Sequence, residues 1–229
     1  MAVIVSLVIS MIFGKKIIQR LQLLQVGEIV RDLGLEGQMQ KQGTPTMGGL
    51  IILASILIPT LLFAKLDNIY IILMLISTVL LGLIGFIDDY IKVFKKNKAG
   101  LAGKFKVMGQ IAVGIIVGTI LYFNDDVVVK QKVMDANAPA HISYEIKNDV
   151  ETKVVENYTW KEVKSTLTTI PFVKNNEFDY ASLTKWAGNH AYLIGGILFV
   201  LIVIVIITAV SNGANMTDGL DGLATGTSA

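Results

Sequence analysis

The chain has 229 residues, of which 53% are hydrophobic and only 17% charged, with a mean hydropathy of +0.62. These values exclude an ordinary soluble domain, and the absence of cysteine excludes a disulfide framework or a thiolate metal site. A net charge of +2 gives no reason to expect a nucleic-acid partner, so the placement of the charges carries more than their sum.

A membrane span needs about 20 mostly apolar residues. Residues 2–13 form a first apolar run, too short alone, which Ile17, Ile18, Leu21, Leu23 and Leu24 extend obliquely. The run lacks the basic leader and small-residue cleavage site of a signal peptide and reads as a first span, with its beginning expected to be clipped. Lys15, Lys16, Arg20, Arg31 and Lys41 follow, then "KQGTPTMGG" at residues 41–49. Pro45 disfavours helix at Thr44 and suits the first turn of a second span over 47–63. Gly48 and Gly49 let a backbone or a ligand approach closely. A capped membrane helix with a small-residue packing face explains the proline and glycines equally well, but not Lys41.

After the short "AKLDN" turn, a third run over 69–87 ends at the adjacent Asp88 and Asp89 of "DDYIK". Lys92, Lys95, Lys96, Lys98, Lys104 and Lys106 then precede a fourth run over 107–123. That run carries "GIIVG" (114–118), a GxxxG pattern expected to pack against another helix. Residues 124–189 are polar, with eight lysines against ten acids. Within them "HISYEI" and "TKVVENYTW" alternate as short strands do, and "KNNEFDYASL" reads as a loop. His141 and His190 stand isolated and carry no catalytic expectation. A fifth run over 192–210 leads into "SNGANMTDGLDG" (211–222).

The expected fold is therefore an all-α polytopic membrane protein with about five spans and a long extracytoplasmic segment containing short strands. Residues 1–123 hold spans one to four and two cytoplasmic loops. Residues 124–189 form the extracytoplasmic segment, and 190–229 the fifth span and the start of a cytoplasmic loop. Orientation follows from lysine and arginine, which concentrate in the loops after spans one and three. Four polar junctions thus share one membrane face: "KQGTPTMGG", "DDYIK", "GLAGKFK" (100–106) and "SNGANMTDGLDG". Carboxylates beside lysines at such a face suit a magnesium-dependent phosphate reaction. The plainer alternatives are helix-surface pairs from Asp88 and Asp89 to Lys92, worth about 0.2–0.5 kcal/mol, and lysines that merely touch anionic lipid. Asp218 and Asp221 share a face if their segment is helical, where they and Asn212 and Asn215 suit a ribose, a base edge or a metal-bound water. A solvated glycine-rich loop fits that stretch as well.

Taken together and in this order, "KQGTPTMGG", "GFIDDYIKV", "GLAGKFKVMGQ" and "NMTDGLDGLA" resemble the polyprenyl-phosphate N-acetylhexosamine-1-phosphate transferases. The wording of "TPTMGG" resembles the phospho-N-acetylmuramoyl-pentapeptide branch of that superfamily. The resemblance implies transfer of phospho-MurNAc-pentapeptide from UDP-MurNAc-pentapeptide to undecaprenyl phosphate, giving lipid I and UMP for peptidoglycan synthesis. It implies Mg²⁺ as cofactor and a bacterial inner membrane location with a cytoplasmic active site. Besides these substrates and membrane lipid, a homodimer is compatible with it.

Residue by residue, the resemblance makes Asp88 the group that helps deprotonate or position the attacking lipid phosphate. Asp89 organises Mg²⁺ or neighbouring lysines, and Lys92 completes the motif. Lys41, Thr46 and Lys104 line the nucleotide-sugar and phosphate path. Asn212, Asp218 and Asp221 fall on the uridine side, and Asn215 on the metal side. The family has more spans than these five, and the resemblance places its main magnesium-binding aspartate and a His-rich loop beyond Ala229. The chain is accordingly expected to be an N-terminal fragment, inactive alone. Two other readings stay open: a sibling enzyme moving N-acetylglucosamine phosphate, and a non-catalytic transporter or lipid-binding protein. The latter predicts charges in mid-span, whereas the acids here sit at span ends.

Overall fold

A computed structural model describes residues 1–23, 47–95, 97, 99–135, 137–147, 150–169 and 177–217. The described chain is mostly helical, and four of its helices are long and apolar enough to cross a membrane: Ala2–Leu23 (α1), Ile69–Phe94 (α3), Gly103–Phe123 (α4) and Ala191–Thr217 (α6). A shorter apolar helix, Gly49–Phe63 (α2), lies between the first two. With so many apolar helices, the molecule is a multi-pass membrane protein, as composition required. Long apolar side chains such as Leu62, Met74 and Phe123 stand exposed, which water would penalise and hydrocarbon does not.

The chain divides into two units, residues 1–119 with 200–229, and residues 120–199. In the first unit, α1 is 22 residues long, or about 33 Å at the α-helical rise. The residues from Ile17 to Leu23 therefore continue the first span as a regular helix. The 15 residues of α2 reach only about 22 Å. Its Pro59, buried with Ser55, removes the N–H that would bond the Ser55 carbonyl, and the neighbouring Thr60 hydroxyl donates to the Ile56 carbonyl at 2.7 Å. The start of the expected second span differs: the helix begins at Gly49, with Gly48 as a cap that supplies no side-chain bond. Pro45 lies outside the described residues. Buried Met47, at a positive φ of 71°, packs with Leu21 of α1.

α3 starts where Asn68 caps it, its side chain accepting the Tyr70 N–H at 2.9 Å. It runs 26 residues, past the end of the apolar run, so Asp88, Asp89 and Lys92 ride on its last turns. The GxxxG pattern packs as expected. A Cβ on Gly114 would lie 2.8 Å from the Ile204 Cα of α6, and one on Gly118 would lie 3.2 Å from the Val200 Cα. Only glycine allows these two backbones to approach so closely.

In the second unit, Val150–Val163 (β3) pairs antiparallel with Val129–Met134 (β1) through its second half and with Ala140–Lys147 (β2) through its first. Lys132 faces Trp160 and Ala140 faces Asn157. β2 and β3 contain the two expected strands; β1 was not anticipated. The exposed His141 stacks on Tyr158 at 4.1 Å between centroids, a surface contact. Residues 177–183, the described part of "KNNEFDYASL", depart from the loop expected there. Glu177–Asp179 (β5) pairs with Leu167–Thr169 (β4), and Tyr180–Leu183 (α5) turns once. The reason is local: the Thr168 hydroxyl donates to the Tyr180 hydroxyl at 2.7 Å, the Thr166 hydroxyl donates to Asp179 Oδ1 at 2.9 Å, and Phe178 meets Tyr180 edge-on. A 3₁₀ helix, Lys185–His190, leads into α6.

Candidate active site

The site grows from the end of α3. Asp88 is 5% exposed, and a buried carboxylate needs compensating donors. It has three. Its Oδ1 accepts the Leu101 backbone N–H at 2.7 Å, and its Oδ2 lies 2.7 Å from Lys92 Nζ and 2.9 Å from Lys106 Nζ. Lys92 comes from the next turn of the same helix, Leu101 from the connection, and Lys106 from the first turns of α4. One carboxylate thereby fixes the closure of the α3–α4 connection.

That closure depends on Gly100. Its φ is +65°, a region L side chains seldom adopt, and a Cβ there would lie 2.4 Å from Asp88 Oδ1 and 2.8 Å from Lys92 Cε. The turn before it is tied by Asn97, whose carbonyl accepts the Gly100 N–H at 2.9 Å and whose side chain accepts the Ala99 N–H at 3.1 Å.

Asp88 and Lys106 line a cavity of about 190 Å³ with Leu81, Ile84, Gly85, Gln110, Ser211, Asn212 and Asn215. Gln110 is 5% exposed and ties α4 to α6 with both ends of its amide. Its Nε2 donates to Ser211 Oγ at 3.0 Å, and its Oε1 accepts from Asn212 Nδ2 at 2.7 Å. Asn212 Nδ2 also donates to the Thr208 carbonyl at 2.8 Å. Residues a hundred positions apart in sequence are brought to one wall.

The structure thus brings Asp88, Asn212 and Asn215 to the same cavity, with Lys92 on Asp88. Asp89 sits beside them on α3, its side chain 37% exposed and its Oδ1 3.8 Å from Lys92 Nζ. Lys104 lies on the exposed side of α4, its Nζ 5.2 Å from the Phe105 ring centroid. Lys41, Thr46, Asp218 and Asp221 lie outside the described residues. Lys106, Gln110 and Gly100 were not singled out from the sequence. A signal existed: Lys106 and Gln110 are four apart and share a helix face, whereas Lys104 and Lys106 are two apart and point to nearly opposite sides.

Among the described residues no three His, Asp or Glu side chains cluster as a metal site. Asp88 is held by two ammoniums, which oppose a third cation on the same oxygens. These residues alone do not compose a magnesium centre. They do offer amides and ammoniums to an anionic ligand: Lys106 carries three N–H donors, and Asn212 and Asn215 add amide donors and acceptors.

Residues 148–229 match the model for glycosyl transferase family 4, and residues 41–53 match a phospho-N-acetylmuramoyl-pentapeptide-transferase signature. A protein of that name from Parabacteroides distasonis is 58% identical over all 229 residues, which are 52% of its own length. Its namesake from Flavobacterium psychrophilum is 57% identical, with 100% of this chain and 54% of the relative covered. A third, from Porphyromonas gingivalis, is 53% identical, with 52% of the relative covered. The chain spans about half the length of the curated relatives it matches, and along its full length it is a sequence relative of the N-terminal half of the phospho-N-acetylmuramoyl-pentapeptide-transferases.

Proposed function

We propose that this chain contributes to the transfer of phospho-MurNAc-pentapeptide from UDP-MurNAc-pentapeptide to undecaprenyl phosphate. A lipid phosphate oxygen bonds to the sugar-linked phosphorus, the bond from that phosphorus to the bridging oxygen breaks, and UMP leaves with the bridging oxygen and its electron pair. The observation that carries the reading is the Asp88–Lys92–Lys106 cluster on the cavity that Asn212 and Asn215 also line. Two phosphate anions repel each other, and positioned ammoniums offset that repulsion while charge moves to the leaving group.

Asp88, in this reading, positions. Three donors hold it as an anion, which favours orienting Lys92 and Lys106 on the attacking lipid phosphate over taking up a proton. Asn212 and Asn215 serve the nucleotide side. The basic loops support a cytoplasmic site in this reading, at a bacterial inner membrane where a soluble nucleotide and a lipid headgroup can meet. Dependence on Mg²⁺ belongs to the same reading and rests on the resemblance, because the described carboxylates do not by themselves make its site.

The test is a chimera in which residues 1–229 replace the matching part of the Parabacteroides distasonis relative. UMP release with UDP-MurNAc-pentapeptide, lost in Asp88→Asn, supports the proposal. Release only with UDP-N-acetylglucosamine assigns the sibling donor. No release with either, from a folded chimera, overturns both.

A further inference from the structure

A second, larger cavity lies between α1 and α2, within the first unit, and has no part in the chemistry above. Its volume is about 580 Å³, inside the roughly 300–1,000 Å³ range of small-ligand sites. Ser10, Gly14, Ile18 and Gln22 recur every four residues and form one stripe of α1, beside Lys15 and Gln19. Gly48, Ile51 and Ile52 face them from the start of α2. The backbones leave room because both helices carry glycine here. Gly14 is buried, with a Cβ position 3.8 Å from Ile51 Cγ2, and a Cβ on Gly48 would meet nothing within 4 Å.

The lining is amphipathic and its charge has one sign. α1 carries Lys15, Lys16 and Arg20 with no acid, and α2 has no charged residue, so together they contribute +3. The cavity also sits where α1 changes from the uncharged, mostly apolar residues before Gly14 to the basic ones after it, the change expected at a headgroup boundary. Bulk lipid tails need no glycine-floored recess, and a soluble anion needs no isoleucine walls. We propose that this groove holds one anionic phospholipid of the surrounding bilayer, its phosphate at Lys15 and the start of one acyl chain along Ile51 and Ile52.

Native mass spectrometry of the detergent-purified chain, given equal phosphatidylglycerol and phosphatidylcholine, tests this directly. The unmodified chain retains phosphatidylglycerol preferentially. Lys15→Gln lowers that preference about fivefold, the effect of one basic side chain at an anionic lipid surface. Lys15→Arg keeps it, and Lys65→Gln, on the turn after α2, leaves it unchanged. Gly48→Leu places a side chain in the groove from a right-handed helical φ of −58°, without backbone strain, and lowers retention with the charge intact. Equal retention of the two lipids, or variants indistinguishable from the parent, overturns the proposal. Release of phosphatidylglycerol by millimolar inorganic phosphate also overturns it, since the groove would then be a bare phosphate site.

Discussion

Two ion pairs of this molecule look alike by distance and differ in everything else. At the end of α3, Lys92 Nζ is 2.7 Å from an Asp88 whose side chain is 8% exposed. Beside β3, Lys164 Nζ is 2.8 Å from an Asp125 whose side chain is 96% exposed. Asp88 takes two further donors, from Lys106 and the Leu101 N–H, and anchors an interhelical connection. Among the described residues, Lys164 reaches, beyond Asp125, only the Phe123 carbonyl at 3.1 Å. The distances cannot rank the pairs, but burial can. Water screens and replaces the partners of an exposed carboxylate, whereas removing a partner of a buried one leaves charge with nothing to answer it.

Asp88→Asn should break the comparison at its strongest point. The substitution keeps the volume but turns an amide toward two ammoniums. We expect a loss of about 2–4 kcal/mol, below the full cost of breaking a buried pair because Lys92 is 41% exposed. Thermal unfolding in detergent measures the loss, and an unchanged midpoint would mean that the lysines find other partners at no cost. Gly100→Ala comes next. It places a carbon on Asp88 Oδ1 and forces alanine to a φ of +65°, for a cost of about 1–3 kcal/mol. If the strain acts through Asp88, the double variant with Asp88→Asn should lose less than the sum of the two, and strict additivity would separate the glycine from the carboxylate.

Gln110→Leu sharpens the contrast within the membrane part. It leaves Ser211 and one contact of Asn212 without their amide partner, while Asn212 keeps the Thr208 carbonyl. The expected cost is about 1–2 kcal/mol. In the chimera, a positioning role predicts a raised KM for the nucleotide sugar with kcat little changed, partly restored by Gln110→Asn or Gln110→Glu. A proportional fall in kcat alone would point to the wrong side of the reaction.

The legible parts of this molecule are those written in local pattern. Apolar runs marked the membrane helices, the GxxxG marked the α4–α6 contact, and period-two alternation marked β2 and β3. Ends were harder, because apolar composition stops at Ile87 while hydrogen bonding carries α3 on to Phe94. The three-residue strands β4 and β5 were illegible because their pairing rests on Thr168 and Tyr180, twelve residues apart, and not on any run. At the site, adjacent aspartates are conspicuous in any sequence. Lys106 and Gln110 are not, since their meaning lies in which face of α4 turns toward Asp88 and Ser211. Four of the ten candidate residues, Lys41, Thr46, Asp218 and Asp221, fall outside the described residues and rest on sequence alone.

The weakest pair gives the most delicate test. The Lys164 ammonium beside Asp125 holds its carboxyl below the usual carboxylate range, first by hydrogen bonding and then by charge. A depressed folded-state pKa stabilises the fold above the unfolded-state pKa, and that contribution fades as pH falls through the folded value. The contribution is therefore constant above the unfolded-state value, and its loss belongs at and below about pH 4, where an unperturbed aspartate takes up its proton. With Asp125 fully exposed, water screens the pair, so Lys164→Met should lower the unfolding midpoint only slightly, and by the same amount from pH 5 to 8. As the parent's carboxylate protonates below about pH 4, that gap should close. A gap that persists below about pH 3, once Asp125 is protonated, would show that Lys164 acts through the Phe123 carbonyl at the end of α4 rather than through Asp125.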